Sequence, residues 1–252
     1  MSLRIIFFLR NCIVSNIAYK KLIMRLKIKI LFFCRKNCKY SNLMIQNLKK
    51  RNLDLKIIYS KYREEKLKKI KWTGDYIICF RTLYILNKSL LNRATIAAIN
   101  FHPAPRWYRG SGGINWAVYN NDKSFGATVH LMNEKIDNGP IIHASNFPIL
   151  KNYNYVSIQR RAYLESIKVF KRIITGLLKN HQIYLNRKIN YCKMKKIIWK
   201  GRVRKINEID YMQKIKFNYS KEKIKKIIKA TNIKDYPVYI DLHGYKFEFK
   251  LK

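Results

Sequence analysis

The sequence predicts an open, mostly parallel α/β sheet with a small mixed α/β appendage at its C-terminal end. Three observations lead there. Short runs rich in β-branched and aromatic residues alternate with helical or turn-like segments through the first hundred residues, which is the pattern of consecutive β-α units. The first of these runs, residues 27–33, is nearly continuous in its apolar residues. After Pro148 the pattern changes to one long basic amphipathic segment followed by short mixed pieces.

The elements follow in order. Residues 27–33 (Lys-Ile-Lys-Ile-Leu-Phe-Phe) read as the first strand. Ser41 is placed to cap a helix running to about residue 51, with Leu43, Met44, Asn47 and Leu48 on adjoining turns. Residues 53–59 are a second strand, and the charged residues 61–71 are expected to be helical. Gly74-Asp75 leads into a third strand at 76–80, residues 88–93 make a helical turn, and 96–101 are a fourth strand. A helix at 114–121, a strand at 125–132, a tight turn at 136–140 and a further strand from Ile141 complete this part.

Beyond it, residues 155–178 read as one helix, because Tyr163, Ile167, Phe170, Ile174 and Leu177 recur at three or four residues. Arg160, Arg161, Lys168, Lys171 and Arg172 fill much of the remainder and form a solvated basic face. Residues 181–204 are basic, with strand-like pieces at 183–185 and 197–199; residues 205–230 form one or two lysine-rich helices, and 238–251 a hairpin turning at His243-Gly244. The chain thus divides into a basic extension (1–24), a main domain (25–154), and a long helix with a small subdomain (155–252). The extension stays open as a targeting segment, an amphipathic surface helix, or a stretch upstream of a start at Met24.

Composition narrows the class. A chain of 252 residues that is 48% hydrophobic can bury a sizeable core. No apolar run reaches the roughly 18 residues of a membrane span. Five cysteines, an odd number, read as reduced thiols of a cytoplasmic protein. Cys34 and Cys38 are four apart, but no second pair or histidine cluster accompanies them, so no metal is expected. The formal net charge is +40, yet residues 100–150 carry four Lys/Arg against three Asp/Glu, a net of +1 that leaves +39 elsewhere. Such a field suits an anionic partner, and bias toward Ile, Lys, Asn and Tyr is the competing explanation. The turn at 34–40 lacks a Gly-x-Gly-x-x-Gly, so no nicotinamide or flavin site is expected.

One stretch carries chemistry. Strand side chains alternate, so Asn100 and His102 face the same way at the carboxyl end of the fourth strand, where ligands bind in open α/β sheets. Pro103 and Pro105 prevent further pairing, and Arg109-Gly110-Ser111-Gly112-Gly113 lets backbone approach a ligand. Asp137 sits in a turn. Singly, a histidine at a strand end is usually structural and an aspartate in Asp-Asn-Gly a turn former. His143, His181 and His243 carry no motif.

Together, Asn-x-His-Pro, Tyr-Arg-Gly, Gly-x-Thr-x-His and Ile-Asp-x-Gly-Pro-Ile, in that order over about residues 25–150, resemble the folate-dependent formyltransferases. The resemblance implies a Rossmann-like formyltransferase fold and transfer of a formyl group from 10-formyltetrahydrofolate to an amine, through a tetrahedral intermediate. It maps the catalytic roles onto Asn100, His102 and Asp137: Asn100 with His102 stabilising the oxygen, Asp137 orienting and charge-balancing His102 and helping to take the amine proton. By the same analogy Arg81, Leu83, Leu131, Glu134 and Ile136 would contact folate, and His130 would support the site or be structural.

The loop after His102 discriminates among acceptors. Methionyl-tRNA formyltransferases usually carry Ser-Leu-Leu-Pro there; residues 103–108 here are Pro-Ala-Pro-Arg-Trp-Tyr, more similar to nucleotide-sugar N-formyltransferases. Arg106 and Trp107 depart from the Pro-Glu common in that branch. Trp107 and Tyr108 would stack on a sugar or base, or else anchor the loop. Arg109 would contact an anionic substrate group or brace the loop. The implied acceptor is a nucleotide-linked amino sugar used in polysaccharide biosynthesis, with methionyl-tRNA as the alternative. The sugar branch also implies a possible homodimer.

Overall fold

The computed structural model describes residues 27–62, 65–231, 233 and 236–250. The extension 1–24 lies outside them. Among the described residues no helix is long and apolar enough to cross a membrane.

The chain runs β1 (Ile28–Arg35), α1 (Lys39–Lys49), β2 (Leu53–Ser60), β3 (Gly74–Phe80), α2 (Lys88–Leu91), β4 (Ala94–His102), β5 (Arg109–Gly110), α3 (Gly113–Tyr119), β6 (Ser124–Leu131), β7 (Ile141–Pro148), α4 (Tyr155–Met194), β8 (Val203–Arg204), α5 (Asn207–Gln213), β9 (Lys214–Ile215), α6 (Lys221–Thr231), β10 (Tyr239–Leu242) and β11 (Tyr245–Glu248). Six strands form one sheet in the order β2-β1-β3-β4-β6-β7. The first four are parallel; β6 and β7 are antiparallel additions. The α/β, mostly parallel fold class is therefore the one observed. The C-terminal hairpin also forms, as β10 and β11.

Alternation along β1 explains why its apolar residues run without interruption. Ile30, Phe32 and Cys34 join the core on one face, with Met44 and Leu48 of α1 and Phe170 and Ile174 of α4. Leu31 and Phe33 join Leu86, Leu90 and Leu91 on the other. The Phe170 ring stands 5.0 Å from Phe101 and 6.2 Å from Phe32, so the long helix is anchored beneath the carboxyl end of β4. A second core joins Ile114, Phe125 and Phe147 to Ile209, Ile227 and Val238, and so fixes the C-terminal elements onto the end of the sheet.

Four expectations are corrected. Residues 65–73 have no helix: Leu67, Ile70 and Trp72 pack against the outer core, and Arg93 Nη1 donates to the Ile70 carbonyl at 2.6 Å. Tertiary packing overrides the local charge pattern there. Ser41 lies inside the first turn of α1, and Cys38 is its N-cap, with Sγ accepting the Ser41 N–H at 3.5 Å. Residues 183–185 are helical, because Leu185, Ile189 and Cys192 recur at helical spacing and are turned inward. Helix α4 thus runs past the expected residue 178, bending at Asn180 (φ −161°, ψ 95°). Residues 197–199 form no strand.

Candidate active site

Register assembles the site. In the β4–β6 ladder Asn100 lies opposite His130 and His102 opposite Thr128, so Asn100, His102 and His130 project from one face. Asp137 arrives from the connection between β6 and β7, with a positive φ of 42° that aspartate tolerates better than most residues. Its carboxylate lies at the centre. Oδ2 accepts the Gly110 N–H at 2.7 Å and is 3.4 Å from His102 Nδ1. Oδ1 is 3.2 Å from His130 Nε2 and accepts from Asn100 Nδ2 at 3.4 Å.

Gly110 has φ 80°, and a Cβ there would collide with the Arg204 carbonyl. Only glycine lets this backbone pair with β8 and still donate to Asp137. Burial alone would raise the Asp137 carboxyl. With the imidazoles protonated, the charge of His102 and the charge and hydrogen bond of His130 join the Gly110 N–H in outweighing it and hold the group well below the usual carboxylate range.

The two imidazoles are oriented by backbone carbonyls, which can only accept. His102 Nε2 therefore donates to Tyr108 O at 2.8 Å, and its Nδ1 is turned to Asp137. His130 Nδ1 donates to Leu131 O at 2.8 Å and turns Nε2 toward Asp137 and Asn100. These tautomers follow from the hydrogen-bond pattern. His102 is 8% exposed, so one edge still reaches the cleft.

The cleft has a volume of about 660 Å³. Asn100, His102, His130 and Asp137 line it together with Arg81, Leu83, Ile85, Leu86, Met132, Glu134 and Ile136, and with Tyr155, Lys205 and Tyr236. Arg81 has a positive φ of 54°, donates from Nη1 to Cys38 Sγ at 3.0 Å, and places its guanidinium 4.3 Å from the Tyr163 ring centroid.

Four of the residues picked from sequence lie off the cleft wall. Leu131 packs toward the inner core; its N–H donates to Pro140 O and its carbonyl holds His130. Tyr108 is 4% exposed, and its hydroxyl donates to Asp122 Oδ2 at 2.7 Å. Trp107 packs on the second core. Arg109 braces the loop, donating to the carbonyl of Asp137 at 2.8 Å and to Asn138 Oδ1 at 3.0 Å. For this segment the anchoring and bracing readings describe the contacts made.

Trp199 was not singled out from sequence. Its ring centroid stands 6.0 Å from His102 and 5.0 Å from His130, both edge-on, and its Nε1 donates to Gly139 O at 2.8 Å. It arrives from 60 residues away along the chain, with no local motif to announce it.

Residues 59–174 match the family described as formyl transferase. A methionyl-tRNA formyltransferase of Pelobacter propionicus is 32% identical over 95 residues, covering 37% of this chain and 30% of that protein. Matched regions cover between 22% of a bifunctional polymyxin resistance protein of Wigglesworthia glossinidia brevipalpis and 49% of a methionyl-tRNA formyltransferase of Clostridium tetani, so the chain spans half or less of the length of the curated relatives it matches. A sugar N-formyltransferase from Shewanella sp. FDAARGOS_354 superimposes with a TM-score of 0.66 at 18% identity, over 89% of this chain and 97% of that one. The N-formyltransferase of Helicobacter canadensis in complex with folinic acid and dTDP-3-aminofucose superimposes with a TM-score of 0.58 at 17% identity, over 87% and 86%. These structures share the fold.

Proposed function

From a chain whose residues 59–174 match the formyl transferase family, we propose an N-formyltransferase that moves a formyl group from 10-formyltetrahydrofolate to the amine of a nucleotide-linked amino sugar. The observation that carries this reading is the convergence of Asn100, His102 and Asp137 on the wall of one cleft.

The cleft fits a reduced folate. Leu83, Ile85, Leu86, Met132 and Ile136 offer apolar surface to a flat ring system, and Arg81 and Glu134 offer polar partners beside it. The folate, when bound, supplies the formyl carbon as electrophile. An amide carries two N–H donors. One of those on Asn100 serves Asp137 and His130, which leaves the other for the formyl oxygen as negative charge develops there. With Nε2–H committed to Tyr108 O, Nδ1 is the His102 nitrogen left to take the proton lost by the attacking amine, and the imidazolium so formed pairs with Asp137 Oδ2. Asp137 stays ionised and is a weak base, so its part is to orient the imidazole and balance its charge.

The sugar acceptor is favoured by the near full-length superposition on sugar N-formyltransferases. Methionyl-tRNA is the second reading. It is supported by the identity to methionyl-tRNA formyltransferases and by the +39 of charge outside residues 100–150, which suits an RNA backbone. Release of tetrahydrofolate by the purified chain tests the chemistry. It is expected to require both donor and amine acceptor, and to fall on the order of a hundredfold or more in Asn100→Ala; release that survives this substitution would refute the site.

A further inference from the structure

We propose that the cleft at the bend of α4 is a second ligand site, built for the phosphate chain of a nucleoside di- or triphosphate. It shares no lining residue with the cleft described above. Its volume is about 620 Å³, the size of a small-molecule site rather than a groove for an extended chain.

The bend makes the cleft. At Asn180 the backbone leaves helical geometry, and the Asn180 Oδ1 then caps the second half of the helix by accepting the Ile183 N–H at 3.1 Å. Gly176, on the first half, leaves room for the Tyr184 ring of the second; any Cβ there would overlap it. Four cations border the resulting space: Arg172, Lys179, Arg187 and Lys188. Among the described residues no aspartate or glutamate lines it. Arg51 reaches in from the end of α1 and donates to Thr175 Oγ1, also on the wall, at 2.9 Å.

Gathering like charges without a carboxylate raises the potential locally. Its effect is visible at His143, 3.5 Å from Arg172: burial, Arg172 and Lys188 together push that imidazole down to about 4, against the opposing charge of Glu165. An anion bound among the four cations would relieve this repulsion and form charge-assisted hydrogen bonds. Two aromatic rings complete the chemistry. Tyr184 lies under Lys188 Nζ at 5.5 Å, and Tyr191, 51% exposed at the rim, presents a face on which a base can stack.

Calorimetric titration of the full chain with inorganic tripolyphosphate and with ADP tests this. Lys179→Glu combined with Arg187→Glu is expected to weaken both ligands by about tenfold or more. Lys221→Glu combined with Lys225→Glu makes the same change in net charge on exposed positions of α6, and is expected to weaken them by about twofold at most. Tyr191→Ala should weaken ADP and leave tripolyphosphate unchanged. Equal weakening by the two double variants would show a diffuse field and overturn the site. Binding of RNA oligomers with no binding of ADP or tripolyphosphate would overturn it as well, and an unaltered ADP affinity in Tyr191→Ala would remove the nucleoside from the assignment. Lys179→Gln with Arg187→Gln repeats the test without reversing charge, with thermal unfolding as the control for folding.

Discussion

Nε2 of His130 lies 3.2 Å from Oδ1 of Asp137, and the same nitrogen is 3.2 Å from Asn100 Nδ2. At that nitrogen a neutral His130 accepts the Asn100 amide N–H and a protonated one donates to the Asp137 carboxylate, so the ring holds one or the other in place. It is a positioning residue, 2% exposed. His130→Ala is expected to lower kcat roughly tenfold to a hundredfold with little change in KM, because a small displacement of the reacting groups costs that much. His130→Gln keeps a polar atom near the ring's position and should recover part of the loss. Steady-state kinetics on the folded variants check this.

The Asp137 carboxyl is held below its unfolded value, so the stability it contributes is present above about pH 4 and is lost as pH falls through the folded value. The difference in unfolding free energy between the wild type and Asp137→Asn is expected to be widest above pH 4 and to close on acidification. Denaturant titrations at several pH values measure it. A difference that grew below pH 4 would reverse the sign argued here.

His143 behaves oppositely in window, not in sign. Its imidazole is depressed to about 4 in the folded chain, so the unfolded chain takes up a proton first as pH falls below about 6.5. Stability is complete above that value and declines between about 6.5 and 4. His143→Asn should flatten the fall in Tm over this interval.

Trp199 walls both imidazoles and holds the Gly139 carbonyl. Trp199→Ala is expected to reduce kcat by roughly tenfold through loss of imidazole orientation. Trp199→Phe restores a ring without the N–H and should recover a part of that loss, which separates ring packing from the hydrogen bond.

How much of this was readable beforehand depends on the range of the interaction. Asn100 and His102 on one face follow from strand alternation, a local rule. The parallel strands follow from runs such as residues 27–33. The partnership of Asn100 with His130 depends on a ladder register across 30 residues, and that of His130 with Trp199 on docking of the C-terminal segment. Neither leaves a local pattern. Residues 65–73 are charged enough to read as helix, and the packing of Leu67, Ile70 and Trp72 holds them in irregular structure instead. In α4 the inward spacing of Leu185, Ile189 and Cys192 was present in the sequence and outranks the β-branched residues beside it. For Tyr108 the sequence leaves stacking and loop anchoring both open, because nothing nearby shows that the ring is buried and that Asp122 takes its hydroxyl.

The acceptor assay is the most direct measurement. The purified full chain is incubated with 10-formyltetrahydrofolate and, in parallel, with a dTDP-linked amino sugar panel and with methionyl-tRNA, and formylated product is followed by mass. Formylation of an amino-sugar nucleotide, lost in His102→Asn and in Asp137→Asn, is the expected result. Formylation of methionyl-tRNA alone, or of no amine at all, would contradict it.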